Sequence, residues 1–532
     1  MQTPTTSATA SATASATQSG TRQWSQYQLA VFENVATGTG HTVIKAVAGS
    51  GKTTTIVEAL RHVALGLTVL FVAFNKAIAD ELAKRAPKHV DVSTLHSYGL
   101  KIITRALGRL RIDKNRMHRL IDDMRSETFE TVIRIGKELG LGTDEEITEA
   151  ADLSSLRFDL IKTVSLAKGS LAGEETQIDA IIDGFDIEFP KRSPFQGVIL
   201  PEHAQTALRA AFVQDVLALL VRCADVSDGT LDFDDMIWLP VVLDLSQKQF
   251  DRVFVDETQD LNPCQIELTM RAVKSHGRII AVGDPRQAIY RFRGADSQAV
   301  ENVVKRLDAK ILPLSVCYRC CRSVIEEAKR IVPEIEWAPG AEEGKVEDAT
   351  MKEMVKGVRP GDFVLSRINA PLISLCMRFL KEGRPATIQG RDIGASLAAF
   401  VKKSAARDVE ALRDYVEQWR DVECARLSKK RVDTQATEDR AECILALSDG
   451  ATSVADVISR IENLFADTDD SKRIVLSSTH KAKGMERDTV WMLVGTYGRR
   501  PGIEEQNLIY VAQTRARKAL YLVHGDTGEA NR

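Results

Sequence analysis

The stretch "AVAGSGKTTT", residues 46–55, constrains the fold more than any other part of the chain. It follows the apolar, β-branched run "TVIKAV" and leads into the helix-period segment "TIVEALRHVA". A strand that turns through glycines into a helix aims backbone N–H groups and a helix N-terminus at one point, which suits a chain of phosphates. Ala48, Gly49, Ser50, Gly51, Lys52, Thr53 and Thr54 would then wrap the phosphates. Lys52 supplies a point charge to the outer ones, and the Thr53 hydroxyl is of a type that ligates Mg2+.

Such a loop predicts an α/β fold, and the same strand, loop, helix pattern recurs along the chain. Short β-branched runs at 42–49, 67–74, 252–257 and 278–284 read as buried parallel strands of one sheet. A second set lies at 310–314, 362–367, 473–479, 489–495 and 519–525, so two α/β cores are expected. Charged, helix-period segments interrupt both sets. The expected organisation is a Ser/Ala/Thr-rich disordered tail at 1–22, a first α/β domain at 23–105 and 226–308, and a helical accessory insertion at 106–225. A second α/β domain follows at 309–395 and 471–532, with a short accessory insertion at 396–470.

With 532 residues, 44% apolar and 27% charged, the chain is expected to be globular and multidomain. It has no apolar run long enough for a membrane span and no charged-then-apolar leader, so a cytoplasmic protein without a membrane partner is expected. The eight cysteines are scattered as reduced thiols usually are. Only "CYRCC" at 317–321 has a ligand-like spacing, and no second Cys/His pair accompanies it, which argues against zinc. A net charge of −3 gives no global nucleic-acid footprint, although a groove between domains can be locally basic.

"VFVDETQD", 253–260, ends an apolar run in carboxylates. Alone it reads as a solvated acidic turn. Beside a phosphate-binding loop it reads as the other half of a hydrolytic site, with Asp256 holding Mg2+ and Glu257 activating water.

The motifs occur in the order seen in superfamily 1 DNA helicases of the UvrD/Rep (PcrA-like) family, which the chain resembles over most of residues 23–525. They are Tyr27-Gln28, "AVAGSGKTTT", "FNKAIADEL" (74–82), "STLHS" (93–97), "DFDDM" (232–236), "VDETQD" (255–260), "VGDPRQAIYRFRGA" (282–295), Tyr318-Arg319, "STHKAKGME" (478–486) and "YVAQTRARKALYL" (510–522). The resemblance implies two RecA-like domains with ATP between them. Gln28 would read adenine, Tyr318 stack on it and Glu486 accept from the ribose. Gln287 would sense the terminal phosphate, with Arg319 and Arg515 as arginine fingers. For the DNA strand it implies Phe74, Asn75, Thr94, His96, Ser97, Tyr290, Phe292, Arg293 and His480. The chain departs from the family where Ala73-Phe74-Asn75-Lys76 stands for Phe-Thr-Asn-Lys, at Leu95 in place of an aromatic, and at Cys317, usually Asn.

The resemblance therefore implies an ATP- and Mg2+-dependent helicase acting on single-stranded DNA and its junctions with duplex, 3′ to 5′, with a monomeric motor unit. A translocase that strips proteins without unwinding and an ATP-gated DNA-binding scaffold are the alternatives. Protein partners and pathway are not legible. No nuclease-like extension is expected after residue 525.

Overall fold

The computed structural model of the chain describes residues 23–185, 187, 189, 193–195, 198–290, 298–429, 435–465, 472–498 and 502–525. The expected tail at 1–22 and the expected strand contacts Phe292 and Arg293 lie outside them.

Two six-stranded sheets carry the fold, and every pairing within them is parallel. The first holds β1 (Thr42–Ala46), β2 (Val69–Ala73), β3 (Val90–Thr94), β4 (Phe250–Val255), β5 (Val273–Gly283) and β6 (Lys310–Leu314), in the spatial order β3-β2-β4-β5-β1-β6. The second holds β7 (Lys345–Thr350), β8 (Phe363–Ser366), β9 (Ala386–Ile388), β10 (Ile474–Ser478), β11 (Arg487–Leu493) and β12 (Ala516–His524), in the order β7-β12-β11-β8-β10-β9. The central strands are continuous apolar runs because helices cover both of their faces; all of β2 and β8 is buried. This is the α/β architecture expected, with two RecA-like sheets.

One assignment is corrected. Residues 310–314 were expected in the second core, but β6 pairs with β1, Thr42 opposite Lys310 and Ala46 opposite Leu314. Helix Ala299–Leu307 returns the chain from β5 to that free edge, a βαβ crossover in the first sheet. An apolar run reveals that it is a strand, not which sheet it joins.

Among the described residues eight helices lie between β3 and β4, and six of them, Arg116–Asp122 to Glu202–Ala224, fill the expected insertion. Four more, Arg391–Lys403, Val409–Lys429, Gln435–Ser448 and Val454–Leu464, lie between β9 and β10. Neither group builds a separate core. Val43, Leu70, Val253 and Ile279 of the first sheet share one apolar cluster with Leu160, Phe212 and Val216 of the first group. Val364, Ile388 and Leu476 of the second sheet share another with Leu412, Ile444 and Ile461. A third cluster joins Val47, Ala48 and Ile289 to Cys317, Phe363, Tyr510 and Leu520, so apolar packing also links the two sheets. Among the described residues no helix is long and apolar enough to cross a membrane.

Candidate active site

The first sheet's strands run in one direction, so the segments leaving β1, β2, β3, β4 and β5 emerge at a common carboxyl edge, where ligands of open parallel sheets sit. The loop after β1 turns through Gly49 and Gly51 at φ 68° and 76°, left-handed values that cost glycine nothing. Gly51 caps helix Lys52–Ala59 and leaves its first N–H groups free for an anion. The loop cannot carry side chains in place of its glycines. A Cβ on Gly49 would stand 2.7 Å from both Cys317 Sγ and Arg319 Cβ.

Asp256 and Glu257 follow β4. Glu257 adopts φ 50°, an uncommon left-handed conformation for a residue with a Cβ. This turn brings its Oε2 to 3.1 Å from Lys52 Nζ. Gln259 Nε2 donates to the same oxygen at 2.5 Å, while Gln259 Oε1 accepts from the Asp284 N–H at 2.9 Å. Gln287 Nε2 donates to Asp284 Oδ2 at 2.7 Å. The carboxylates of two adjacent strands are thus tied into one network.

Burial, then Glu257, push Asp256 up to about 7. Burial likewise raises Asp260 and Asp284 to about 6 each. Glu257 goes the other way: burial opposes its charge, but Lys52 and Lys483 prevail and hold it down to about 2. Burial also opposes the charge on Lys52, and Glu257, Asp284 and Asp256 together keep its ammonium above the ordinary value. The Thr53 hydroxyl and the Asp256 carboxylate are hard oxygen donors, and Ser50 Oγ is buried with no partner among the described residues. That donor set fits a hard divalent cation beside a phosphate chain.

The second sheet closes the site from its amino-terminal side. Glu486 immediately precedes β11, and Arg515 immediately precedes β12. A cavity of about 420 Å3 is lined by Gly49 to Thr54, Glu257, Asp260 and Gln287 from one side, and by Arg319, Lys483 and Arg515 from the other. Arg319 forms an ion pair with Glu486, and its Nη1 donates to Thr514 O at 3.4 Å. Arg515 is 1% exposed. Its Nε donates to Val511 O at 2.9 Å and its Nη1 to Met485 O at 3.0 Å, and burial followed by Arg319 lowers it to about 10. Gln28 is buried: its Nε2 donates to Thr55 Oγ1 at 2.9 Å, and its Oε1 accepts from the Ser25 N–H at 3.1 Å and from Tyr318 Oη at 3.4 Å.

Of the residues expected on the DNA strand, Phe74 and Tyr290 lie with rings nearly parallel, centroids 6.5 Å apart. Both also line the cavity, and Tyr290 Oη donates to the carbonyl of His480 at 3.3 Å. Asn75 Oδ1 caps helix Lys76–Arg85 by accepting from the Ile78 N–H. Thr94 Oγ1 accepts from the Ser97 N–H and donates to Ser97 Oγ at 3.0 Å, so both residues are held at the start of helix Leu95–Leu107. Burial lowers His96 to about 4. It is neutral at physiological pH, which leaves it a hydrogen-bonding ring rather than a cation for phosphate.

Sequence reasoning missed two residues here. Lys483 donates to Asp260 Oδ2 at 2.5 Å and to the Gln287 carbonyl at 2.8 Å, bridging the sheets at the cavity floor. It stands in the quoted "STHKAKGME", but spacing does not tell one lysine of that motif from another. Phe233, from "DFDDM", is 58% exposed and stacks on His96 at 3.9 Å. The flanking acids explain its placement. Asp232 and Asp235 are buried against Lys168 at 2.6 and 2.8 Å, and Asp235 against Arg116 at 2.6 Å. Cys223 adjoins this pair, but the two cations already occupy the carboxylates.

Comparison with known proteins matches residues 28–308 to the UvrD/REP helicase N-terminal domain and residues 473–523 to the UvrD-like helicase C-terminal domain. The chain is 25% identical over 325 residues to the ATP-dependent DNA helicase PcrA of Bacillus subtilis, covering 56% of this chain and 38% of the relative. It is 25% identical over 405 residues to that of Staphylococcus aureus, covering 67% and 50%. For Leuconostoc citreum the identity is 24% over 367 residues, covering 63% and 43%. The chain spans about half the length, or less, of these curated relatives. With the first match extending over more than half of its residues and the second falling on the other sheet, the chain belongs to the UvrD/REP helicase family.

Proposed function

We propose that the chain is an ATP-dependent motor that moves 3′ to 5′ on single-stranded DNA and separates duplex at the junction, acting as a monomer. The observation that carries this reading is the single cavity in which Lys52 and Glu257 of one sheet face Arg319 and Arg515 of the other. A triphosphate there touches both sheets, so cleavage of its last bond alters the contact between them.

The roles follow from the contacts. Gln28 and Tyr318, already hydrogen-bonded to each other, take the adenine, and Glu486 takes the ribose once Arg319 leaves it. Lys52 exchanges Glu257 for the outer phosphates. That exchange removes the main charge holding Glu257 low, and its carboxylate becomes a better acceptor for a proton from water as substrate arrives. Gln287 stands beside the terminal phosphate, where Arg319 and Arg515 offset the charge that develops. Thr53 and Asp256 would hold Mg2+, which when bound neutralises phosphate oxygens.

On the strand side, Phe74, Tyr290 and Phe233 offer ring faces to bases, and stacking of this kind is worth about 1 to 3 kcal/mol per base with little sequence preference. Asn75, Thr94, Ser97 and the neutral ring of His96 supply hydrogen-bonding groups for the backbone, and His480 joins them. Phe292 and Arg293 join them by family likeness. Tyr290 belongs to both sets, which couples strand and nucleotide through one ring.

The test is ATP hydrolysis with and without single-stranded DNA, followed by unwinding of duplexes bearing a 3′ or a 5′ tail. Stimulation by the strand and unwinding from the 3′ tail are expected. Hydrolysis indifferent to DNA overturns the motor reading, and displacement of bound protein without unwinding replaces it with a stripping translocase.

A further inference from the structure

The "CYRCC" motif is left over from the functional reading. Its first and fourth positions, Cys317 and Cys320, bracket Tyr318 and Arg319, the two residues of this loop that reach the nucleotide site. Cys317 sulfur lies within hydrogen-bonding reach of the Cys320 thiol and of the backbone N–H groups of Cys320 and Arg319. Cys320 Sγ lies 3.6 Å from the Thr514 carbonyl, the same oxygen that accepts from Arg319 Nη1. On its other side Cys317 packs under the phosphate-binding loop, and the Tyr318 N–H donates to Gly49 O at 2.9 Å. The two thiols thus sit at the joint between the sheets, with the arginine and the aromatic ring suspended between them. The third cysteine of the motif points elsewhere: Cys321 Sγ donates to the Lys518 carbonyl at 3.4 Å.

We propose that Cys317 and Cys320 are a peroxide-oxidised dithiol, and that the disulfide between them disables the Tyr318–Arg319 loop. The Cys317 thiolate attacks hydrogen peroxide, giving a sulfenic acid and hydroxide. The Cys320 thiol then attacks that sulfur, forming the S–S bond and releasing water, while the proton lost by Cys317 converts the hydroxide to a second water. Two thiols and one peroxide become one disulfide and two waters. The neighbouring Cys320 thiol, and after burial's opposing effect the Cys320 and Arg319 N–H groups, lower Cys317 below the ordinary thiol value, which favours its thiolate as the attacking sulfur.

Forming the bond closes a ring across Tyr318 and Arg319 and consumes the Cys317 sulfur against which the Arg319 N–H rests, so Arg319 loses its setting without being altered itself. Cys317 is fully buried, with Gly49 above it. Oxidant reaches it when the sheets part, and nucleotide that holds them together protects it. The effect on hydrolysis rests on the ATPase reading above; the disulfide itself does not.

The reduced full chain is treated with hydrogen peroxide, with and without a nonhydrolysable ATP analogue, and mapped by peptide mass spectrometry without reduction. ATPase and binding of a fluorescent ATP analogue are read in parallel. A Cys317–Cys320 linkage is expected, slower in the presence of analogue. ATPase of the linked fraction should fall by about 1000-fold, the scale of a lost arginine finger, and return with dithiothreitol. Cys320→Ala should keep the reduced activity within about twofold and resist peroxide, whereas Cys321→Ala should be inactivated like the parent. Absence of the linkage, linkage with unchanged ATPase and analogue binding, or inactivation of Cys320→Ala at the parent's rate each overturns the proposal. A reduced chain with no ATPase fails the motor reading instead, while the mapping still decides the dithiol.

Discussion

Lys52 and Glu257 hold each other's charge, and that pairing sets what each single substitution will do. Glu257→Gln keeps the hydrogen-bonding shape but removes the proposed proton acceptor. ATP hydrolysis should drop by about 100- to 10,000-fold, the range for a lost general base, while binding of ATP and of single-stranded DNA persists. Unchanged turnover would remove Glu257 from that role. His96 shows the opposite lesson. Its place in "STLHS" suggests a phosphate contact, yet burial under Phe233 keeps it neutral. Salt dependence of strand binding counts neutralised phosphates, so His96→Gln should leave the slope of log affinity against log salt unaltered while weakening binding. A slope reduced by about one unit would mean that the ring carries charge in the complex.

At the scale of elements, Asp251 opens β4 and fastens it to its neighbours. Its Oδ2 accepts from the Thr68 N–H at 2.9 Å, the Thr68 hydroxyl at 2.6 Å and Lys274 Nζ at 2.9 Å. These bonds, led by the Thr68 hydroxyl, hold its carboxyl well below the usual carboxylate range. A depressed carboxylate contributes stability above its unfolded pKa of about 3.9 and loses it as pH falls toward the folded value. Asp251→Asn should therefore cost about 2 kcal/mol at pH 7 in denaturant unfolding, with the gap to the parent shrinking below pH about 4. A gap independent of pH would contradict the assignment. Such ties also mark what sequence patterns reveal. The apolar runs of β1, β2, β4, β8 and β11 are legible because strands buried on both faces must be apolar throughout. "VDVST" of β3 and "KVEDAT" of β7 escape notice because they are edge strands with exposed polar residues, and β9 because it has only three residues. The phosphate loop and carboxylate turn are legible for a related reason, since backbone geometry fixes their residues. Lys483 and Phe233 are not, because their positions depend on how one element meets another.

At the scale of the whole molecule, the two sheets are held together by polar as well as apolar contacts. Among the contacts that span the gap are the Ala48 N–H donating to Tyr510 Oη at 2.8 Å, Asn507 Nδ2 donating to Ala288 O at 3.1 Å, and the Lys483–Asp260 ion pair. The ion pair differs from the others because both partners are charged and still largely withdrawn from water, with side chains 10% and 1% exposed. Removing one partner of such a pair strands the other charge, at about 3 kcal/mol or more. Asp260 relieves part of that cost by protonating, since burial has already raised it to about 6 and loss of Lys483 raises it further. Lys483→Ala should therefore loosen the sheets without unfolding either, because the apolar clusters of each sheet do not depend on it. Amide hydrogen exchange reads this directly. Ala48 and Tyr318 donate across the joint, and their exchange should accelerate by about 10- to 100-fold in the variant, while amides in the middle of β2 and β8 keep the parent's rates. A nonhydrolysable ATP analogue, bridging the same cleft, should restore part of the protection. If Ala48 and Tyr318 exchange at the parent's rate in Lys483→Ala, the apolar joint around Val47 and Phe363 alone holds the sheets, and the ion pair serves only to orient Gln287.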